Sequence, residues 1–123
     1  MLFFSKVELS GTCTGTYDNV ESSYITSPNY PQKYETLDEC SWTINVIDEK
    51  TVALSFTHFD TEANYDTLSI YSHTGSLLEK LSGNSIPSEI VVPEKTMYLK
   101  FFSDKIGTRK GFRIILKVYG KYT

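Results

Sequence analysis

Near the end of the chain, Phe112, Ile114, Leu116 and Val118 alternate with Arg113, Ile115, Lys117 and Tyr119. Side chains on a strand point alternately to its two faces, so this segment has one apolar face and one polar face. A slip of one residue would turn Arg113 and Lys117 inward, which sets the register. The same period of two recurs along the chain. Met97, Leu99 and Phe101 alternate with Tyr98, Lys100 and Phe102, and Leu68 and Ile70 alternate with Thr67, Ser69 and Tyr71. Trp42, Ile44 and Val46 share one face of Ser41–Val46, and Val52, Leu54 and Phe56 repeat the pattern after Asp48-Glu49-Lys50. The economical expectation is that these last two segments form an antiparallel pair around that polar turn. Gly75 and Gly83-Asn84 punctuate the middle, and no apolar stripe at helical spacing lasts three turns. The fold class is all-β: a two-sheet antiparallel sandwich with both outer faces wet. Its expected core is Trp42, Ile44, Leu54, Phe56, Leu68, Ile70, Leu99, Phe101, Ile114 and Leu116.

At 123 residues the chain has room for one domain. No apolar run approaches the roughly 18–20 residues of a membrane-spanning helix. Leu2-Phe3-Phe4 is far shorter than the apolar stretch of about 7–15 residues in a secretory signal. The expectation is therefore an expression start at Met1, or one piece of a larger protein. The net charge of −3 hides an asymmetry. Residues 1–94 carry four lysines against fourteen acids, whereas residues 95–123 carry eight basic residues against Asp104 alone. The preferred reading is that strands of the two parts interleave in the fold and mix the charges on its surface.

Few residues offer reactive chemistry. Cys13 and Cys40 are the two cysteines. Without a Cys-x-x-Cys spacing or a nearby His they do not make a zinc site. They are either a disulfide or two buried thiols, and composition does not choose. His58 and His73 are the two histidines. His58-Phe59-Asp60 resembles a base with an orienting acid, but no nucleophile motif, phosphate loop or His-Glu-x-x-His accompanies it. The chain reads as non-catalytic. Asn84-Ser85-Ile86 fails as a glycosylation sequon at its third position, and a nucleic-acid partner is not expected of a chain with net negative charge and no recognisable binding module.

Ser27-Pro28-Asn29-Tyr30-Pro31 with Tyr34, followed by Cys40-x-Trp42-x-Ile44, resembles the CUB domain, an extracellular β-sandwich module. Phe56, Phe59-Asp60, Tyr65-Asp66-x-Leu68-x-Ile70, Leu81-x-Gly83, Leu99-x-Phe101-x-Ser103-Asp104 and Gly111-Phe112 continue the resemblance in the family's order. It runs from about Cys13 to Tyr119. It implies a jelly-roll-like sandwich over 13–120, with 1–12 an N-terminal extension or first edge strand and 121–123 a tail. It also implies a Cys13–Cys40 disulfide and an extracellular or secreted location, since disulfides persist in oxidising compartments.

The resemblance further implies a calcium site at Glu62, Asp66 and Asp104, with a backbone carbonyl of Ile106 or Gly107 as a further ligand. The same acids would accept a Lys or Arg from a protein partner. Four departures bear on this, the first being Ile106, which stands where calcium-binding members often have Ser or Asn. Ala63 and Ser82 stand where the family's second disulfide would be, and the loop from Phe59 to Tyr65 is about four residues short. Ser22 stands where an aromatic hydroxyl often supports the site. A competing reading gives Lys105, Arg109, Lys110 and Arg113 a glycan or glycosaminoglycan to bind. A third makes the chain a structural spacer of a larger secreted protein.

Overall fold

The computed structural model describes residues 12–47 and 50–120, which form nine strands. In chain order these are β1 (Thr12–Asp18), β2 (Ser22–Thr26), β3 (Glu39–Asn45), β4 (Lys50–Asp60), β5 (Thr67–Tyr71), β6 (Leu77–Leu81), β7 (Ile90–Val92), β8 (Thr96–Phe102) and β9 (Gly111–Gly120). One sheet runs β1-β3-β8-β5-β6 and the other β2-β9-β4-β7. The extension or edge strand expected over 1–12 lies outside the described residues except for Thr12, which opens β1. The tail at 121–123 also lies outside them.

The sandwich buries the faces that alternation assigns to it. All ten expected core side chains are buried, Ile44, Leu54, Leu68, Ile70, Leu99, Ile114 and Leu116 completely. Phe112 lies at the centre of the aromatic packing, edge-on to Phe101 at 5.3 Å and to Trp42 at 6.1 Å, and stacked on Phe59. Such pairs contribute about 0.5–1.5 kcal/mol beyond the area they bury. Arg113 and Lys117 face outward, as the register of β9 requires.

The pairing of neighbours differs from expectation in two places. β3 and β4 do not form a hairpin. β3 pairs with β1 and β8, and β4 pairs with β7 and β9 in the opposite sheet. Alternation identifies a strand's buried face but not its partner, so Trp42-x-Ile44 and Leu54-x-Phe56 could pair edge to edge or face each other across a core. They face each other. The sheets are also not wholly antiparallel, because β1 runs parallel to β3. The chain leaves β1, spends β2 in the other sheet and returns in the same direction, which a parallel pair requires. Cys13 and Cys40 are direct partners in that register, 4.5 Å apart at Cα, and are bridged.

Two devices shape the end of the sandwich that matters below. A bulge between Phe56 and His58 lets β4 bury both Phe56 and Phe59, re-aiming the residues that follow Asp60. The Ser-Pro-Asn-Tyr-Pro segment leaves β2 held by Ser27, whose N–H donates to the Phe112 carbonyl and whose Oγ accepts from the Phe112 N–H. It then carries Tyr34 into the interior. Gly111 sits at φ 88° against the Ser27 side chain, where a Cβ would have no room.

Candidate functional site

The loops after β4 and β8 meet at one end of the sandwich, where β5 begins. Glu62, Asp66 and Asp104 bring carboxylate oxygens to within 4.8 Å of one another. Asp66 is fully buried and the other two are partly exposed. Local chemistry explains how acids come to be so close. The Glu62 carbonyl accepts from the N–H groups of both Tyr65 and Asp66, folding residues 62–66 into a tight turn. Asp66 Oδ1 accepts from the Asp104 N–H at 2.8 Å, and Asp104 Oδ1 accepts from the Ile106 N–H at 3.1 Å. The Leu37 N–H donates to the Asp104 carbonyl, so a third loop holds the same strand end.

The supporting aromatic hydroxyl comes from Tyr34. Tyr34 is buried, its ring edge-on to Phe101 at 4.9 Å, and its hydroxyl donates to Asp66 Oδ2 at 2.6 Å. The Tyr34 hydroxyl oxygen in turn accepts from the Glu62 N–H at 3.1 Å. Ser22, at the position expected to carry this role, is exposed on β2 opposite Lys117. The signal for Tyr34 was in the motif itself. Tyr34 follows the Ser-Pro-Asn-Tyr-Pro run, and its N–H donates to the Arg109 carbonyl.

The loop from Phe59 to Tyr65 keeps Glu62 in the cluster, and hydrogen bonds tie it to the segment after β6. The Thr61 N–H donates to the Gly83 carbonyl at 2.8 Å, and the Gly83 N–H donates to Thr61 Oγ1 at 3.1 Å. Ser82 Oγ accepts from the Asn64 N–H at 2.9 Å. Gly107 contributes by what it lacks. At φ 91° its missing Cβ would lie 2.5 Å from Glu62 Oε2. Only a residue without a side chain admits the carboxylate there.

Negative charge at this end is only partly compensated. Partial burial, then the charges of Asp104 and Asp66, push the Glu62 carboxyl above its ordinary range, and Arg109 only partly offsets them. Burial also raises Asp66, against the lowering effect of the Tyr34 hydroxyl and the Asp104 N–H. Tyr34 is raised by burial and then by its bond to Asp66, so it remains a donor. Glu62 Oε1 is buried with no hydrogen-bond partner. Three carboxylates with an orphaned oxygen fit a hard, oxygen-preferring cation and not a soft one.

The remaining candidates are dispersed. Ile106 is 68% exposed and its N–H, not its carbonyl, is tied to the cluster. The Arg113 guanidinium lies over the Tyr24 ring at 4.3 Å and donates to Thr57 Oγ1. Arg109 donates to the Thr108 carbonyl and acts electrostatically on Glu62. Lys105 and Lys110 are exposed. His58 Nδ1–H donates to the Gly111 carbonyl, and His73 pairs with Glu94 at 2.8 Å, beyond the far end of β5.

Comparison with known proteins agrees with this architecture. The CUB domain family model matches residues 13–116. Tolloid-like protein 1 of Mus musculus is 35% identical over 75% of this chain, which corresponds to 10% of that protein. Neuropilin-2 of Homo sapiens is 31% identical over 96% of the chain and 14% of its own length. The chain therefore spans a small part of the curated relatives it matches. Among solved structures, the human MASP-1/3 CUB1-EGF-CUB2 segment superimposes with a TM-score of 0.77 at 26% identity, covering 84% of this chain and 40% of that one. The MASP-1 CUB2 domain bound to Ca2+ gives 0.76 at 27% identity, covering 84% and 96%. With the sandwich, the bridged cysteines and the family match over 13–116 in agreement, this chain belongs to the CUB domain family.

Proposed function

We propose that residues 13–120 form an extracellular, non-catalytic recognition unit. Its end at Glu62, Asp66 and Asp104 holds a calcium ion and receives a lysine or arginine of a protein partner. CUB domains of the relatives are non-catalytic, extracellular protein-interaction modules. The observation that carries the reading is the cluster itself: three carboxylates within 4.8 Å, one oxygen orphaned, and a buried tyrosine bracing two of the three. Glu62, Asp66 and Asp104 would supply the carboxylate ligands, with the Ile106 carbonyl a further candidate. When bound, the ion offsets their mutual repulsion and fixes their orientation. A partner's ammonium or guanidinium then meets a pre-organised anionic surface and little ordering is required. The Cys13–Cys40 bridge fits an oxidising compartment, hence a secreted or cell-surface location.

Calcium titration of the melting temperature tests the reading. A native-state site is stabilised by mass action, about 2.7 kcal/mol at a hundredfold excess over Kd. Millimolar calcium should raise the melting temperature by several degrees, chelator should reverse it, and Asp104→Ala should abolish the response while leaving the β-sheet circular dichroism unchanged. A wild-type chain with no calorimetric heat and no shift would remove the ion from the mechanism. The glycan reading of the basic run and the spacer reading would then stand ahead.

A further inference from the structure

The loops that build the acidic cluster also carry apolar side chains into solvent. Leu37 is 61% exposed, Tyr65 61% and Ile106 68%. Single exposed apolar residues are ordinary on a protein surface. These three, however, are bonded through their own N–H groups to the cluster: Leu37 to the Asp104 carbonyl, Ile106 to Asp104 Oδ1 and Tyr65 to the Glu62 carbonyl.

Leu37 adds an independent reason. Four described residues other than glycine have positive φ, and three of them are asparagines: Asn19, Asn29 and Asn64. Leu37, at φ 61°, is the fourth. Asparagine tolerates this region because its side chain bonds locally, whereas leucine is strained there by its Cβ. An exposed leucine in that conformation is costly twice over, in backbone strain and in hydration. Strain of this kind collects at sites that bind.

We propose that Leu37, Tyr65 and Ile106 form an apolar collar around the carboxylates, and that the collar selects a partner segment whose lysine or arginine is flanked by aliphatic side chains. The occupant is identified by complementarity: a cation for the acids, hydrocarbon for the rim. Apolar contacts around a charged pair also exclude water, which strengthens the attraction at the centre. The inference rests on the carboxylate site described above, and goes beyond it by naming what stands beside the basic residue.

Amide chemical-shift titration of the full chain in calcium, with three short peptides, tests this. The probes are acetyl-Ser-Val-Lys-Val-Ser-amide, its Ser-Ser-Lys-Ser-Ser counterpart and the Ser-Val-Gln-Val-Ser control. The valine-flanked lysine peptide should bind about five- to tenfold more tightly than the serine-flanked one, as partial burial of one or two aliphatic groups implies. Leu37→Asn combined with Ile106→Ser should erase that preference and retain the dependence on lysine. Leu37→Asn alone should melt a few degrees higher, because it relieves the strain; a purely structural leucine would make the variant melt lower. Equal affinity of the two lysine peptides for the wild type would overturn the collar and leave the carboxylate site standing. So would a preference that survives both substitutions. Equal binding of the glutamine control would overturn the shared occupant. If neither lysine peptide moved the Asp66 and Asp104 resonances, the carboxylate reading itself would fall, and the collar with it.

Discussion

Glu62 and Asp66 sit in the folded chain with carboxyl groups raised above ordinary values of 4.5 and 3.8. A carboxyl whose folded pKa is raised binds its proton more tightly in the folded state than in the unfolded one. Without a cation, these two groups therefore add stability as pH falls through their raised values, and the gain is complete below the ordinary ones. In chelator, the melting temperature of the wild type should rise as pH is lowered from 7 toward the mid-fours. Glu62→Gln should start higher at pH 7 and follow a flatter profile. In calcium the trend should reverse, since protons compete with the ion for the same oxygens. Scanning calorimetry at a series of pH values, with and without calcium, reads both directions. The three acids could be picked out from the sequence by their resemblance to family positions. Their closeness could not, since Asp66 and Asp104 meet only because β5 and β8 lie side by side in one sheet.

The elements that frame this end show how a loop can keep its place without a bridge. At Ala63 and Ser82, where the resemblance implies a cysteine pair, the loop is held by the Thr61–Gly83 bonds and the Asn64–Ser82 bond. Removal of the Ser82 hydroxyl should cost about 0.5–1.5 kcal/mol, the usual net worth of one hydrogen bond. Ser82→Ala should also weaken calcium binding several-fold by loosening the turn that carries Glu62. Calorimetric titration beside a urea melt separates the two effects. An unchanged calcium affinity would mean that the Thr61–Gly83 bonds and Tyr34 hold the loop without Ser82. At the edge of the five-stranded sheet, β6 manages a different problem. Its pairing with β5 shifts between Ile70 and Tyr71, and Lys80 and Glu79 occupy the middle of an exposed edge. Bulges and charges on edges discourage pairing with other chains. This defence is legible in the sequence only once the edge is known to be one.

At the scale of the molecule, the basic residues of the last third are divided between strands and loops: Lys100, Arg113 and Lys117 lie on β8 and β9, and Lys95, Lys105, Arg109 and Lys110 lie between strands. β8 lies between β3 and β5, and β9 between β2 and β4, so the basic strands of the last third are flanked by strands of the acidic part. The Cys13–Cys40 bridge ties the β1 edge into the same sheet and closes a loop of sequence separation 27. In the chain-entropy model such a loop is worth about 3–4 kcal/mol. Replacing both cysteines with alanine should lower the stability measured by urea unfolding by that amount. A change below about 1 kcal/mol would show that the unfolded chain already holds the two segments close without the bridge.

By itself the sequence determined the apolar core of the alternating strands. Period-two alternation with charges on the opposite face leaves one register for β9, and every expected core side chain is buried. It did not determine which strands are neighbours. Alternation is a local property of a single strand, so the hairpin expected between β3 and β4, and the wholly antiparallel sheets, gave way to a crossing between sheets and a parallel β1–β3 pair. The site follows the same division. The carboxylates and the tyrosine are each visible as residues, but a gap of 38 positions separates Asp66 from Asp104 and one of 32 separates Tyr34 from Asp66. Only closure of the two sheets around Phe112 brings those distant loops to one end, and there the acids, the brace and the exposed apolar rim become one surface.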